Sequence, residues 1–212
     1  MEFKLKVRLS LAALFVAAAF PVLSQVAPSS TEKYLPLEIG GGVAGFDTHY
    51  ASNNPTWSYP QFSGRLFGPT VWADWYIGRV PRVLHGIGIE VEGRHLDYAR
   101  SSSDPRLRED TGAGGIIYTW RHYPNFHPFG KALGGFGSID FDIGDPYYHH
   151  DTRTFYAPGG GIEYRVWGDV WARGEYERQF WTGFGSGTLE PQGFTLGAVY
   201  DFRHAHFHRI QR

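Results

Sequence analysis

Residues 86–94 read GIGIEVEGR: Ile87, Ile89 and Val91 alternate with Gly88, Glu90 and Glu92, and Arg94 continues the polar phase. A period of two puts the aliphatic side chains on one face of a β-strand and the charges on the other. The alternation recurs along the chain, and no helical period of any length competes with it. Strand-sized segments bounded by Gly, Pro, Asp, Asn and Ser are predicted at 35–46, 68–78, 84–97, 111–122, 129–140, 155–166, 169–181 and 193–202. In the first, Leu37, Ile39 and Val43 share a phase against Glu38, Gly40 and Gly42. In the second, Val71, Ala73, Trp75 and Ile77 oppose Thr70, Trp72 and Asp74. The seventh holds Arg173, Glu175, Glu177 and Gln179 on one face.

The connections alternate between long and short. DTHYASNNPTWSYPQFSGR is followed by RVPR, ARSSSDPRLRED by YPNFHP, and DIGDPYYHHDTR by WGD, before a final long TGFGSGTLEP. An up-and-down barrel in an outer membrane has this rhythm, since its periplasmic turns are tight and its external loops are free to grow. An even strand count leaves both termini on the periplasmic side. The expected fold is therefore all-β, an eight-stranded antiparallel up-and-down transmembrane β-barrel.

Two closures satisfy the pattern. Apolar faces turned inward make a soluble, lipocalin-like barrel with a hydrophobic pocket; turned outward, they make a membrane barrel with a polar interior. The outward arrangement is favoured on three grounds. The polar phase carries acids and bases in similar number, as groups confined to a lumen must pair. Glycines are dense on both faces, leaving room for long charged side chains. Aromatics gather near segment ends, at Trp75 and Tyr76, Trp120, Tyr164 and Trp167, and Tyr200, as in the girdles that meet a membrane interface.

Composition narrows the function classes. The 212 residues carry a formal net charge of −1, which gives no reason to expect a nucleic-acid partner. The absence of Cys removes disulfides, thiolate metal sites, thiol nucleophiles and a lipidated N-terminal Cys together. MEFKLKVR followed by LSLAALFVAAAF and PVLS has the basic, apolar and small-residue regions of an export signal, with cleavage expected after Ser24 and Ala27 as second choice. The expected organisation is a signal peptide at 1–24, a periplasmic lead at 25–34, a barrel at 35–202 and a periplasmic tail at 203–212.

With these features the chain resembles the small bacterial outer-membrane β-barrel proteins of the OmpA/OmpX-like eight-stranded family, over roughly 35–202. The sharpest element is GFTLGAVYDF, Gly193 to Phe202, which is similar to the C-terminal signal read by the barrel-assembly machinery, with Tyr200 and Phe202 as its aromatics. Family members commonly end at that aromatic, whereas this chain continues with RHAHFHRIQR. The resemblance implies an integral, porin-like protein of the cell outer membrane, in contact with lipid and lipopolysaccharide, assembled by that machinery and monomeric.

The main candidate constellation is the polar phase itself: Glu38, Asp74, Glu90, Glu92, Arg94, Arg121, Lys131, Glu163, Arg165, Arg173, Glu175 and Glu177. An ion pathway is one reading. A salt-bridged plug is favoured, because eight strands enclose a space only as wide as their own side chains. Trp75, Trp120, Tyr164 and Trp167 are expected at the membrane interface. His204, His206 and His208 share one face of an extended tail and are weak metal candidates; no metal and no other cofactor is expected. YYHHD, residues 147–151, is expected in an external loop, and no Ser joins it in a recognisable catalytic motif. Exposed loop aromatics, Trp57, Tyr59 and Phe62 with Tyr147 and Tyr148, are candidates to contact a surface ligand. Arg178, in the outward phase near an external end, is a candidate contact for lipopolysaccharide phosphates. The expected function is non-enzymatic, in envelope integrity or surface interaction through the loops. A lipid-modifying outer-membrane enzyme and a secreted lipocalin-like carrier are the alternatives.

Overall fold

Alternating sequences satisfy their backbone hydrogen bonds only by pairing with neighbours, and inside a bilayer a sheet must also close on itself to leave no edge. This sheet does close. The structure is a computed structural model and describes residues 36–47, 65–77, 86–98, 107–142, 148–184 and 187–202. The expected signal peptide and lead, Trp57, Tyr59, Phe62, Tyr147 and the histidines of the tail lie outside the described residues.

Ten strand segments follow in chain order: β1 (Leu37–Asp47), β2 (Arg65–Tyr76), β3 (Ile87–Tyr98), β4 (Leu107–Thr119), β5 (Phe126–Asp142), β6 (Tyr148–Trp167), β7 (Val170–Arg178), β8 (Phe180–Phe184), β9 (Gly187–Leu189) and β10 (Gln192–Asp201). Consecutive segments from β1 to β7 pair antiparallel, β10 pairs with β7, and β1 pairs with β10 to close the ring. β8 continues the register of β7 against β6, with Phe155 opposite Trp181 and Gly159 opposite Glu177, so the two are one barrel strand interrupted at Gln179. β9 continues β10 in the same way, beyond Glu190 and Pro191. The result is a closed eight-strand antiparallel barrel.

Most segments run further than the alternation predicts on the long-loop side. β5 and β6 remain paired out to Asp142 opposite Tyr148, so Tyr148–Asp151 belongs to a strand and not to a loop. β4 begins at Leu107, within the segment expected as connection, and β8 and β9 take up part of the last one. Ladder hydrogen bonds need no bilayer, so the pairing persists where the apolar period has already faded. The β6–β7 turn is only Gly168–Asp169, and Gly168 holds φ +53, a conformation that a Cβ would strain.

Apolar side chains face out. Val43, Val71, Ile89, Ile116 and Leu196 are each roughly 60% exposed, although they belong to the most hydrophobic phase of their strands. A lipocalin-like closure would bury them, so the carrier arrangement does not apply. Trp75, Trp120, Tyr164 and Trp167 are exposed at the short-turn end. Tyr76 differs: it faces inward and is 2% exposed, because it occupies the alternate phase to Trp75.

Candidate functional site

The lumen begins with a row of like charges. β1 lies between β10 and β2, and its Glu38 is directly opposite both Asp201 and Asp74, while Asp74 is opposite Glu90 on β3. Four neighbouring strands thus present carboxylates side by side, an arrangement that is unfavourable unless cations meet it. They come from across the barrel. Arg173 on β7 sends Nη1 to Asp74 Oδ2 at 2.9 Å and Nη2 to Glu90 Oε2 at 2.7 Å. It also donates from Nε and Nη2 to Glu175 Oε2, at 3.1 and 2.8 Å. The Arg173 guanidinium carbon lies 4.2 Å from the Phe129 ring centre and 4.9 Å from that of Trp72, which adds cation–π contact to the ion pairs.

One layer further from the turns, Lys131 on β5 places Nζ among four carboxylates. Glu90 and Glu92 each approach to 2.8 Å, Glu175 to 2.5 Å and Glu177 to 3.1 Å. Arg94 then pairs with Glu92 and with Glu177, the latter at 2.9 Å, and lies over the Phe46 ring at 4.3 Å. Phe46 introduces an apolar layer at the long-loop end. Leu66, Leu96, Ile139, Phe155, Trp181 and Leu189 pack there with it, each no more than 5% exposed. Trp181 fits because Gly137 faces it without a side chain: a Cβ at Gly137 would lie 1.9 Å from the indole. The lumen is therefore ionic in its middle and greasy at one end, and its polar character is less uniform than the sequence alternation suggests.

At the turn end, Tyr76 donates to Glu38 Oε2 at 3.2 Å and shares a 2.9 Å hydrogen bond with Thr119. Arg121 donates to Glu38 Oε1 at 3.0 Å and stacks over Tyr76, its side chain 15% exposed. His127 stacks on Trp171 with ring centres 4.2 Å apart.

Of the residues anticipated for the constellation, eleven converge here. Arg165 does not: it is exposed at the β6–β7 turn, where its Nε donates to the Gly168 carbonyl at 2.7 Å. A long cationic side chain near a strand end reaches solvent instead of entering a dry interior. Glu109 and Asp201 join the buried set without having been anticipated. Asp201 carries on the inward phase of β10, and Glu109 lies where β4 extends past its predicted start. The charge balance shifts accordingly. Among the described residues, nine carboxylates are buried against three Lys or Arg side chains, Arg94, Lys131 and Arg173. Arg178 pairs with Glu190 on the exposed surface.

A closed barrel with aliphatic side chains outside and ionised groups along its axis is a membrane barrel. The chain belongs to the outer membrane protein beta-barrel domain family, whose model matches residues 11–202. No curated protein matches it by sequence. Among solved structures it is similar to Neisserial surface protein A, at 15% identity and TM-score 0.58, over 79% of this chain and 97% of that one. It is also similar to Ail, the attachment invasion locus protein of Yersinia pestis, at 14% identity and TM-score 0.55, over 77% and 96%. Ail has also been solved in complex with the heparin analogue sucrose octasulfate. OprG of Pseudomonas aeruginosa matches at 12% identity and TM-score 0.50, over 77% and 94%. These likenesses concern the fold, and the family implies the outer membrane as its location.

Proposed function

We propose that this protein is a non-enzymatic outer-membrane barrel with a lumen closed by its own side chains, serving envelope integrity or surface contact through its external connections. The observation that carries the reading is the filling of the axis: Lys131 among four carboxylates, beneath an apolar layer around Trp181. Side chains that satisfy one another across so narrow a space leave no continuous water column. Planar-bilayer recordings on the refolded protein test it: no steady conductance is expected, and persistent wild-type channels would overturn the closed lumen.

The remaining parts of the reading rest on the sequence. Export uses the signal peptide cleaved after Ser24, and Tyr200 with Phe202 engages the assembly machinery. The barrel is a monomer in contact with lipid and lipopolysaccharide, and Arg178 faces the phosphate zone. The complex of Ail with a heparin analogue makes a sulfated glycan the first ligand to try on the external connections. Retention of intact cells on heparin resin supports a surface role, and loss of retention on trimming residues 48–64 assigns it.

A further inference from the structure

Glu109 enters the lumen from β4 at the height of the apolar layer. It lies opposite Leu96 on β3 and Ile139 on β5, and it is 1% exposed. Phe46 on β1, Leu66 on β2, Phe155 on β6, Trp181 on β8 and Leu189 on β9 complete that layer without adding a titratable group. The polar side chains that face the carboxyl from inside are Arg94 on β3, Glu177 on β7 and Gln179 at the β7–β8 interruption. Each is engaged elsewhere. Arg94 gives Nη1 to Glu177 and Nη2 to Glu92. Gln179 gives Nε2 to Glu177 Oε1 at 3.2 Å and accepts from Trp181 Nε1 at 2.7 Å. Neither oxygen of Glu109 is left with a well-formed hydrogen bond. On the outer wall the neighbouring positions carry charge: Arg108 pairs with Asp110 at 2.8 Å, and His95 approaches Asp110 to 2.5 Å, all of them part-exposed. This rung therefore stands above the aliphatic band, outside the bilayer.

We propose that Glu109 is a proton latch: the neutral acid fits the apolar layer, and loss of its proton to bulk water loosens the Trp181 end of the lumen. A charged carboxylate enclosed by apolar side chains costs far more than the neutral acid, so such a group keeps its proton. Burial pushes the Glu109 carboxyl up to about 7 against the pull of Arg94, and Glu177 and Asp110 push the same way as burial. The carboxyl is thus a weaker acid in the folded barrel than in the unfolded chain, and its proton stabilises the fold. That stabilisation is complete below 4.5, declines as pH rises to about 7, and is lost above it. Gln179 couples the latch to the plug, because it faces Glu109 and holds the Trp181 indole. Once ionised, Glu109 has Arg94 as its counter-charge, with Nε unpartnered, and drawing on it competes with Glu92 and Glu177. The β8 segment that carries Trp181 is in register with β6 at Phe155–Trp181 and Tyr156–Phe180 only, so this part of the layer yields first. The inference rests on the plugged lumen proposed above.

The test uses the full chain refolded in zwitterionic vesicles and unfolded with urea across a pH series. Between about pH 5 and about pH 8 the unfolding constant of wild type should rise roughly tenfold or more beyond that of Glu109→Gln, which mimics the neutral acid. Glu190→Gln, on the exposed surface, should follow wild type. Over the same range acrylamide quenching of the tryptophan emission should increase in wild type, and the increase should vanish in Glu109→Gln and in Trp181→Phe. Parallel pH profiles for wild type and Glu109→Gln overturn the latch, as does a quenching change that survives in Glu109→Gln. Should that variant not refold, Glu109→Leu, which suits Leu96 and Ile139, carries the same comparison; failure of both to refold would show that the fold needs the charged form, and would overturn the proposal too. Steady channels at acid and alkaline pH alike would instead remove the plug itself, while the unfolding curves would still report the proton on Glu109.

Discussion

Arg173 and Glu90 are 83 residues apart in sequence and sit on β7 and β3, with three barrel strands between them in either direction around the ring, yet Nη2 donates to Oε2 at 2.7 Å straight across the lumen. A bond of that kind braces the cylinder in a way that no ladder hydrogen bond can. The same guanidinium also holds Asp74 and Glu175, so one side chain ties β7 to β2 and β3 at once. Replacing it with leucine strands those carboxylates in a dry interior. Arg173→Leu should lower unfolding stability by about 3–5 kcal/mol, read from urea-induced loss of heat-modifiable gel migration. Arg173→Lys should recover only part of this, since an ammonium lacks the forked geometry.

Lys131 gives a complementary case. Its ammonium has three protons and four carboxylate neighbours, so the cage holds together by charge as much as by directed hydrogen bonds. Lys131→Met keeps the aliphatic length and removes the charge. A loss of about 3–5 kcal/mol is expected, with Glu92→Gln in the same chain giving part of it back. Equal losses in the single and double variants would show that the cage is not coupled.

Gly137 and Trp181 test the packing of the apolar layer. A methyl group at Gly137 has to displace an indole that is fully buried and donates through Nε1 to Gln179 at 2.7 Å. Gly137→Ala should cost about 1–3 kcal/mol and shift the tryptophan emission to longer wavelength. Combining it with Trp181→Leu should relieve the clash, giving a double variant less destabilised than the two single losses predict.

The outer face is probed by charge. Val71 projects outward at the middle of β2, so Val71→Arg should cost about 2–4 kcal/mol in a bilayer. Placed at Arg178, outside the aliphatic band and paired with Glu190, truncation to Ala should change stability by less than about 1 kcal/mol. The contrast between the two sites, measured in the same vesicles, maps the edge of the apolar band.

Much of the fold is legible in the chain because a barrel strand reads its two environments alternately. Ile87, Ile89 and Val91 announce the lipid face, and Glu90, Glu92 and Arg94 the axis, with no knowledge of what lies across it. Tyr76 was harder to read, since an aromatic near a strand end suits both an interface girdle and a buried hydrogen bond to Glu38; its odd-or-even place decides, and that place is visible only once Trp75 is known to face out. Arg165 fails for the opposite reason. Its phase is inward, but its nearness to a two-residue turn lets the side chain escape.

What the sequence determined by itself is therefore local: the period of two, the strand count, the turn at Gly168, and the assignment of most side chains to one of two faces. Which inward charges meet was left to the tertiary structure. Strand stagger and closure set the heights at which Arg173, Lys131 and Arg94 face their acids, and those heights depend on registers summed around the whole ring. The burial, among the described residues, of nine carboxylates against three Lys or Arg side chains is likewise a property of the closed cylinder, because only closure separates groups sealed on the axis from groups that reach water at its ends.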